Sequence, residues 1–214
     1  MDDNQEHLAF NHQIGRALSE WQNNIEFGLY NIKQACSGDK RTADTYITLF
    51  EERNFRERLA QVNHLVLASF SNTAHHADWL KLHSRIEKAA KGRNALAHHW
   101  VLTYPNDKPG RRWCLIPRLN VMKQGSPQKL PPGSLCVRDI SGLTHRFFAI
   151  GRAIRNFAQR LRGEPETFPK HMEQESPPLT LAQLTHEVRA LAGCRVSSPS
   201  GAPLNKTAQK GRSL

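Results

Sequence analysis

Residues 138–162 read R-D-I-S-G-L-T-H-R-F-F-A-I-G-R-A-I-R-N-F-A-Q-R-L-R, and this stretch decides the fold class of the chain. Its large apolar residues recur at alternating steps of three and four, a spacing that places them along one face of an α-helix. The stripe consists of Ile140, Leu143, Phe147, Ile150, Ile154, Phe157 and Leu161. Gly163 and Pro165 follow it and are expected to end the helix.

Three more helices are predicted upstream from the same periodicity. The first carries Ile14, Leu18, Trp21, Ile25, Leu29 and Ile32. The second, from about Glu51, carries Phe55, Leu59, Val62, Val66 and Phe70. The third begins near Asp78, a suitable N-cap. Its inward residues are Trp79, Leu82, Ile86 and Ala89. Because no single helix can bury its own stripe, the sequence predicts an all-α four-helix bundle.

Between the third and fourth helices the composition becomes β-like. The runs 99–104 and 112–116 are rich in aromatic and β-branched residues, and they flank the turn-rich stretch Pro105-Asn-Asp-Lys-Pro-Gly110. This pattern predicts a β-hairpin, followed by a loop over 123–136. We therefore expect a helical domain over 5–162 that carries a hairpin and loop insertion at about 100–137.

Beyond position 162 the domain gives way to a tail, 163–214, that is interrupted by prolines. Residues 179–192 are compatible with one short helix. Residues 193–214 contain four basic side chains, no acidic ones and many Ser, Gly and Pro residues. Such a composition cannot bury enough apolar surface to offset the entropy cost of ordering, so we expect this part to be disordered.

Composition narrows the class of protein. No stretch approaches about 18 consecutive apolar residues, which argues against a transmembrane helix. The acidic start, Met-Asp-Asp-Asn-Gln-Glu, lacks the basic and apolar regions of a secretory signal. The four cysteines are scattered without a C-x-x-C pair, which favours reduced thiols over a zinc ribbon or a disulfide scaffold. We expect a cytoplasmic protein with no membrane partner.

Positive charge is concentrated in the middle of the chain. Residues 1–60 carry 7 basic and 10 acidic side chains, residues 61–162 carry 17 and 4, and residues 163–214 carry 6 and 5. The net charges of the three parts are therefore −3, +13 and +1. A local positive field attracts polyanions, which favours a nucleic acid or a nucleotide as the ligand. The alternative is a solubilising surface, for which dispersed charge would serve equally well.

The basic part contains K-G-R-N-A-L-A-H-H-W-V at residues 91–101. Arg93, Asn94 and His98 within it combine a permanent cation, an amide and an imidazole, the side chain best suited to proton transfer near neutrality. These are the groups that a metal-free ribonuclease needs. The Arg-x4-His spacing is expected to occur by chance in a chain of this composition, and Arg58…His64 nearly repeats it. The interpretation therefore depends on the sequence around the motif.

In the corresponding reaction a base removes the proton of a ribose 2′-hydroxyl, and the freed oxygen attacks the adjacent phosphorus. We expect Arg93 to stabilise the charge that builds on the phosphoryl oxygens. His98 would act as the base or protonate the departing 5′-oxygen, and Asn94 would orient the histidine or the phosphate. Since one histidine cannot do both jobs at once, two copies of the motif facing each other in a dimer would complete the site.

The positions of these residues on the helix set a condition for this chemistry. Asn94 and His98 are four apart and share a face, whereas Arg93 and His98 are about 140° apart around a straight helix. For both to reach one phosphate, the helix has to loosen near Ala97, or Arg93 has to fold back along its long side chain. A helix that ends at 98–100 would permit this. In the structural alternative, Arg93 caps helix carbonyls and His98 is an ordinary residue at a helix end.

The string Arg93-Asn94-Ala95-Leu96-Ala97-His98-His99-Trp100 resembles the signature of HEPN-domain proteins, a helical family with an Arg-x4–6-His motif in which Asn often follows the Arg. The resemblance implies a bundle over 5–162 that dimerises with its motifs apposed, and in many members a metal-independent RNase. It further implies a toxin, an antiviral effector or an RNA-processing factor, with an antitoxin or regulatory protein as a further partner. Other members only bind RNA or nucleotides. His99 departs from the family, where Gly is frequent.

An RNA-binding surface is predicted around this motif. Lys91, His99 and Trp100 are candidate contacts, with Trp100 or Trp113 as a base-stacking residue on the hairpin. The arginines of the fourth helix form a candidate phosphate track, whose alternative is a solvated helix face. They are Arg138, Arg146, Arg152, Arg155, Arg160 and Arg162, of which Arg146, Arg152 and Arg155 are the preferred RNA contacts.

We expect neither a metal nor another cofactor. The pairs His75-His76 and His98-His99, with His83 between them, lack the H-x3-H and H-E-x-x-H spacings. The chain also lacks a P-loop and a G-x-G-x-x-G motif. The prediction is therefore a metal-independent endoribonuclease. Its alternative is a non-catalytic module of the same fold that binds RNA, a nucleotide or a protein.

Overall fold

The computed structural model describes residues 3–37, 54–105, 111–118 and 130–170. These residues are mostly helical and carry a two-stranded β-hairpin, as the sequence predicts. The helix predicted at 179–192 and the disorder predicted for 193–214 lie outside the described residues, as does the first half, 123–129, of the predicted loop at 123–136.

The first predicted helix is one uninterrupted run of three elements, and the other predicted helices follow in order. The elements are α1 (Asp3–Glu20), a π-helical segment (Trp21–Glu26), α2 (Phe27–Ser37), α3 (Phe55–Phe70), α4 (Ala74–His98), β1 (Trp100–Pro105), β2 (Arg111–Ile116) and α5 (Val137–Leu161).

α5 is the central helix of the described fold. It packs against α1, the π-helical segment, α2 and α4. Its predicted stripe is buried from Ile140 to Phe157, and Leu161 packs against the core while partly exposed. Ala149, Ala153 and Ala158 are buried as well, because neighbouring helices cover most sides of α5. Among the described residues, no helix is both long enough and apolar enough to cross a membrane.

Two glycines allow α5 and its neighbours to approach closely. A Cβ atom at Gly92 in α4 would lie 2.4 Å from Leu143 Cδ2, and one at Gly151 in α5 would lie 2.4 Å from Asn24 Cβ in the π-helical segment. Both distances are far below a normal carbon–carbon contact. The contact at Gly92 matters for function, because it places the last turns of α4 against the first third of α5.

The π-helical segment shifts the buried face of α1 by one residue. Phe10 and Ala17 are buried, whereas the predicted core residues Ile14 and Leu18 are partly exposed at the edge of the core. A π turn adds one residue to the helix, so the residues before it are rotated relative to those after it. The regular period of an α-helix cannot foresee this added residue.

α4 begins one turn earlier than predicted. Its N-cap is Thr73, whose Oγ1 accepts a hydrogen bond of 3.4 Å from the His76 N–H. Asp78, the predicted cap, lies inside the helix, and its carboxylate is 3.6 Å from Arg160 of α5. The predicted start at Asp78 is wrong because the polar residues before it carry no apolar period that would reveal a helix.

β1 and β2 form the predicted hairpin, in which Trp100 pairs with Ile116. The chain that follows returns to this hairpin. Leu115 and Leu135 pair in an antiparallel bridge, and the backbone N–H of each donates to the carbonyl of the other at 2.9 Å. The hairpin thus begins directly after α4 and is tied to the chain that leads into α5.

Candidate functional site

The motif lies where α4 ends and the hairpin begins. α4 stays helical through Ala97 and ends at His98, inside the predicted range. His99 has an extended backbone, with φ −79° and ψ 156°, and its N–H donates to the Ala95 carbonyl at 3.0 Å. The helix does not loosen near Ala97, so Arg93 and His98 leave its axis about 140° apart.

Arg93 occupies a core position of α4. The buried residues of this helix are Trp79, Leu82, Ile86, Ala89 and Leu96. Arg93 continues their spacing, four residues after Ala89 and three before Leu96. It is half-buried, and its Nε is shielded from water without a hydrogen-bond partner among the described residues. The aliphatic part of Arg93 therefore takes the place of an apolar side chain, as long cationic side chains often do.

The tip of Arg93 turns towards Asn94. Arg93 Nη1 donates to Asn94 Oδ1 over 3.4 Å, a long hydrogen bond. Asn94 is exposed and shares a helix face with His98, which is exposed as well, and Lys91 is exposed one turn earlier. One chain thus brings Arg93 to Asn94 and presents His98 to solvent on the same helix face as Asn94.

His99 has a different environment from His98. It is half-buried, and its Nδ1 is shielded from water without a hydrogen-bond partner in the described part of the chain. Burial, followed by the charge of His98, lowers the pKa of His99 below its ordinary value. His99 is therefore neutral at pH 7 and a poor proton donor.

Trp100 is the predicted stacking residue that the structure leaves accessible. Trp113, the other candidate, is half-buried and stacks on His7 of α1 with ring centroids 4.1 Å apart. Trp100 is 41% exposed, and the guanidinium carbon of Arg118 lies 5.7 Å from its ring centroid. Sequence reasoning missed Arg118, because its position beside Trp100 depends on the pairing of β1 with β2.

The predicted phosphate track on α5 does not form one face. Arg146 and Arg155 are nine residues apart, which places them on opposite sides of the helix. Arg152 and Arg155 are three residues apart and lie on the same side. A single RNA strand can follow Arg152 and Arg155 along α5, but not Arg146 as well.

The C-terminal end of this track is neutralised by acidic residues of the segment that follows α5. Arg160 forms a salt bridge with Glu166, and Arg162 Nε lies 2.9 Å from Glu164 Oε1. Arg160 and Arg162 therefore attract a phosphate less strongly than unpaired arginines would.

No family model, curated protein or solved structure matches the chain. Its function is therefore inferred from the geometry of its own residues.

Other reactive groups do not form a competing site in the part of the chain that the structure describes. There, no three His, Cys, Asp or Glu side chains cluster in a way that could hold a metal ion. Burial raises the pKa of the Cys36 thiol to about 11. Burial, followed by a hydrogen bond to Asp139, also raises the pKa of Cys136. Both thiols are protonated at neutral pH and are poor nucleophiles.

Proposed function

We propose that the protein is a metal-independent endoribonuclease that acts as a dimer. The observation that carries this proposal is the exposed pair Asn94 and His98 at the end of α4, with the Arg93 guanidinium turned towards Asn94. Together these residues supply an orienting amide, a proton-transfer group and a permanent cation within the last two turns of one helix. The net charge of +13 over 61–162 supports a polyanionic substrate.

In this mechanism His98 removes the proton of a ribose 2′-hydroxyl. The 2′-oxygen forms a bond to phosphorus while the bond from phosphorus to the 5′-oxygen breaks, which leaves a 2′,3′-cyclic phosphate and a 5′-hydroxyl. Arg93 and Asn94 bind the non-bridging oxygens as negative charge builds on them. His99 cannot protonate the leaving oxygen at pH 7, because its pKa is lowered. That proton therefore comes from the partner's His98.

The biological setting of this proposal is supported by the HEPN-like motif. An RNase of this kind acts in the cytoplasm as a toxin or an antiviral effector, and an antitoxin or regulatory protein holds it inactive until it is needed.

The test is cleavage of a mixed-sequence RNA in the presence of a chelator. Wild-type protein is expected to produce cyclic-phosphate ends. His98→Ala and Arg93→Met are expected to cleave about 10²–10⁴-fold more slowly. Met keeps the buried aliphatic part of Arg93 and removes the guanidinium, so we expect the variant to fold like the wild type. His64→Ala is the matched control, because His64 is an exposed histidine on α3 in a similar Arg…His spacing.

The second candidate function is a non-catalytic RNA-binding module. The core position of Arg93 favours it, since packing accounts for that side chain without any role in a reaction. If the protein binds RNA in the same assay without cleaving it, the result would support this second function. Cleavage by His98→Ala at the wild-type rate would refute a ribonuclease site at the motif.

A further inference from the structure

Rings and guanidinium groups alternate along one side of α5 and the segment that follows it, with Phe148 and Arg155 exposed and Arg152 and Phe168 half-buried. Phe148 is 40% exposed, and the guanidinium carbon of Arg152 lies 4.2 Å from its ring centroid. The same carbon lies 5.6 Å from the ring centroid of Phe168, and that of Arg155 lies 5.3 Å from it on the same ring. We call these four residues, Phe148, Arg152, Phe168 and Arg155, the α5 ladder.

Phe168 is held in the ladder by its backbone. Asn156, fully buried in α5, donates from Nδ2 to the Phe168 carbonyl at 2.6 Å and accepts from the Phe168 N–H at 3.1 Å. Gln159 repeats this pattern with Thr167: Nε2 donates to Thr167 Oγ1 at 2.6 Å, and Oε1 accepts from the Thr167 N–H at 2.9 Å. A buried amide is costly to leave without partners, so these bonds hold the backbone of Phe168 next to α5.

The ladder combines the two features that single-stranded nucleic acid requires of a protein surface. Aromatic rings stack on bases whatever their sequence, and guanidinium groups contact the phosphates. Because the rings already hold Arg152 and Arg155 in place, these side chains lose less conformational entropy when they bind a phosphate. The nearby acidic residues Glu164 and Glu166 are engaged by Arg162 and Arg160.

We propose that the α5 ladder is a binding site for single-stranded nucleic acid. A duplex hides the faces of its bases, so it offers the rings nothing to stack on. The ladder is distinct from the motif. Leu143, which meets α4 at Gly92, is nine residues from Arg152 and lies on the opposite side of α5. The proposal therefore does not depend on cleavage at His98.

The test measures the affinity for a fluorescent 2′-O-methyl oligouridylate, which cannot be cleaved by its own 2′-oxygen. Phe148→Ala and Phe168→Ala are each expected to weaken binding about 5- to 150-fold, the range for loss of one stacked base. Phe168→Ala keeps the bonds to Asn156, because they come from the backbone. Phe27→Ala is the matched control, since Phe27 is 50% exposed on α2, and it should bind like wild type.

The salt dependence of the binding affinity is a second test of the same site. With Arg152→Gln and Arg155→Gln combined, the slope of log affinity against log salt should become shallower by about 1.4, or about 0.7 for each phosphate that is no longer neutralised. Wild-type affinity for the ladder variants, equal affinity for a duplex of the same length, or no binding of the single strand at low salt would each overturn the proposal. Intact binding by His98→Ala would show that ladder and motif act separately.

Discussion

At the scale of single residues, the absence of a side chain at Gly151 fixes the distance between α5 and the π-helical segment. We expect Gly151→Ala to lower the free energy of unfolding by about 1–3 kcal/mol. The added methyl group would meet Asn24 Cβ at 2.4 Å, and a Cβ atom cannot rotate away. Urea unfolding followed by circular dichroism measures the change.

Gly15→Ala in α1 is the control for this substitution. A Cβ atom there meets nothing within 4 Å, so the better helix propensity of Ala should raise stability by up to about 1 kcal/mol. Gly92→Ala should fall between the two, because the far end of the Leu143 side chain can move. If Gly151→Ala is as stable as Gly15→Ala, this result would contradict the close approach of α5 to the π-helical segment at Gly151.

The core position of Arg93 can be predicted from the sequence, because the residue continues the apolar stripe that runs through Ile86 and Ala89. Its interaction with Asn94 is not, because it depends on how a flexible side chain leaves the core. The catalytic candidates can thus be named from the sequence, but their directions cannot. The lowered pKa of His99 likewise depends on packing that no local pattern reveals.

At the scale of elements, a buried carboxylate ties the π-helical segment to α3. Glu26 is 3% exposed. Its Oε1 accepts a hydrogen bond of 2.7 Å from Trp21 Nε1, and its Oε2 lies 2.8 Å from Arg58 of α3. Both oxygens of the carboxylate are therefore used, one within the segment and one between helices.

We expect Glu26→Leu to lower the free energy of unfolding by about 3 kcal/mol, because it removes the buried carboxylate that pairs with the largely buried Arg58. The double variant Glu26→Leu/Arg58→Met should recover part of this loss, since it removes both charges from the interior. Urea unfolding of the two single variants and the double variant measures the coupling. A double variant whose loss equals the sum of the single losses would contradict the ion pair.

Most elements follow from the sequence, because their apolar stripes are long and regular. The hairpin also follows, since its aromatic runs flank a turn-rich stretch. The π-helical segment does not follow from the sequence. It contains Trp21 and Glu26, and Glu26 contacts Arg58 of α3, a residue far away in sequence that no local pattern relates to it. The early start of α4 at Ala74 does not follow either, because its first turn buries no apolar residue.

At the scale of the whole molecule, the proposed reaction needs His98 from two chains. Adding a tenfold excess of His98→Ala to wild-type protein should reduce the cleavage rate to about one eleventh, because random pairing leaves few dimers with two intact copies. RNA is kept in large excess so that binding by the variant does not deplete it. A rate that stays constant would show that one chain acts alone.

The α5 ladder joins parts of the chain that the sequence assigns to different regions of the molecule. For this reason only some of its residues could be predicted from the sequence. Arg152 and Arg155 are identifiable as basic residues on one side of a predicted helix. Phe168 lies in the stretch that the sequence assigns to the tail, and its place beside them depends on the amide of Asn156 twelve residues earlier. No local sequence pattern indicates that Phe168 contacts Asn156.

The bridge between Leu115 and Leu135 has a practical consequence for handling the protein. Its two backbone hydrogen bonds bring the ends of the intervening chain together at neighbouring points of the fold. Lengthening a loop with fixed ends is inexpensive, about 0.6 kcal/mol for each doubling of its length. A fluorescent label, an affinity peptide or a small reporter domain inserted at 123–129, within the loop predicted from the sequence, should therefore be tolerated, which allows the protein to be followed or immobilised with both termini left free.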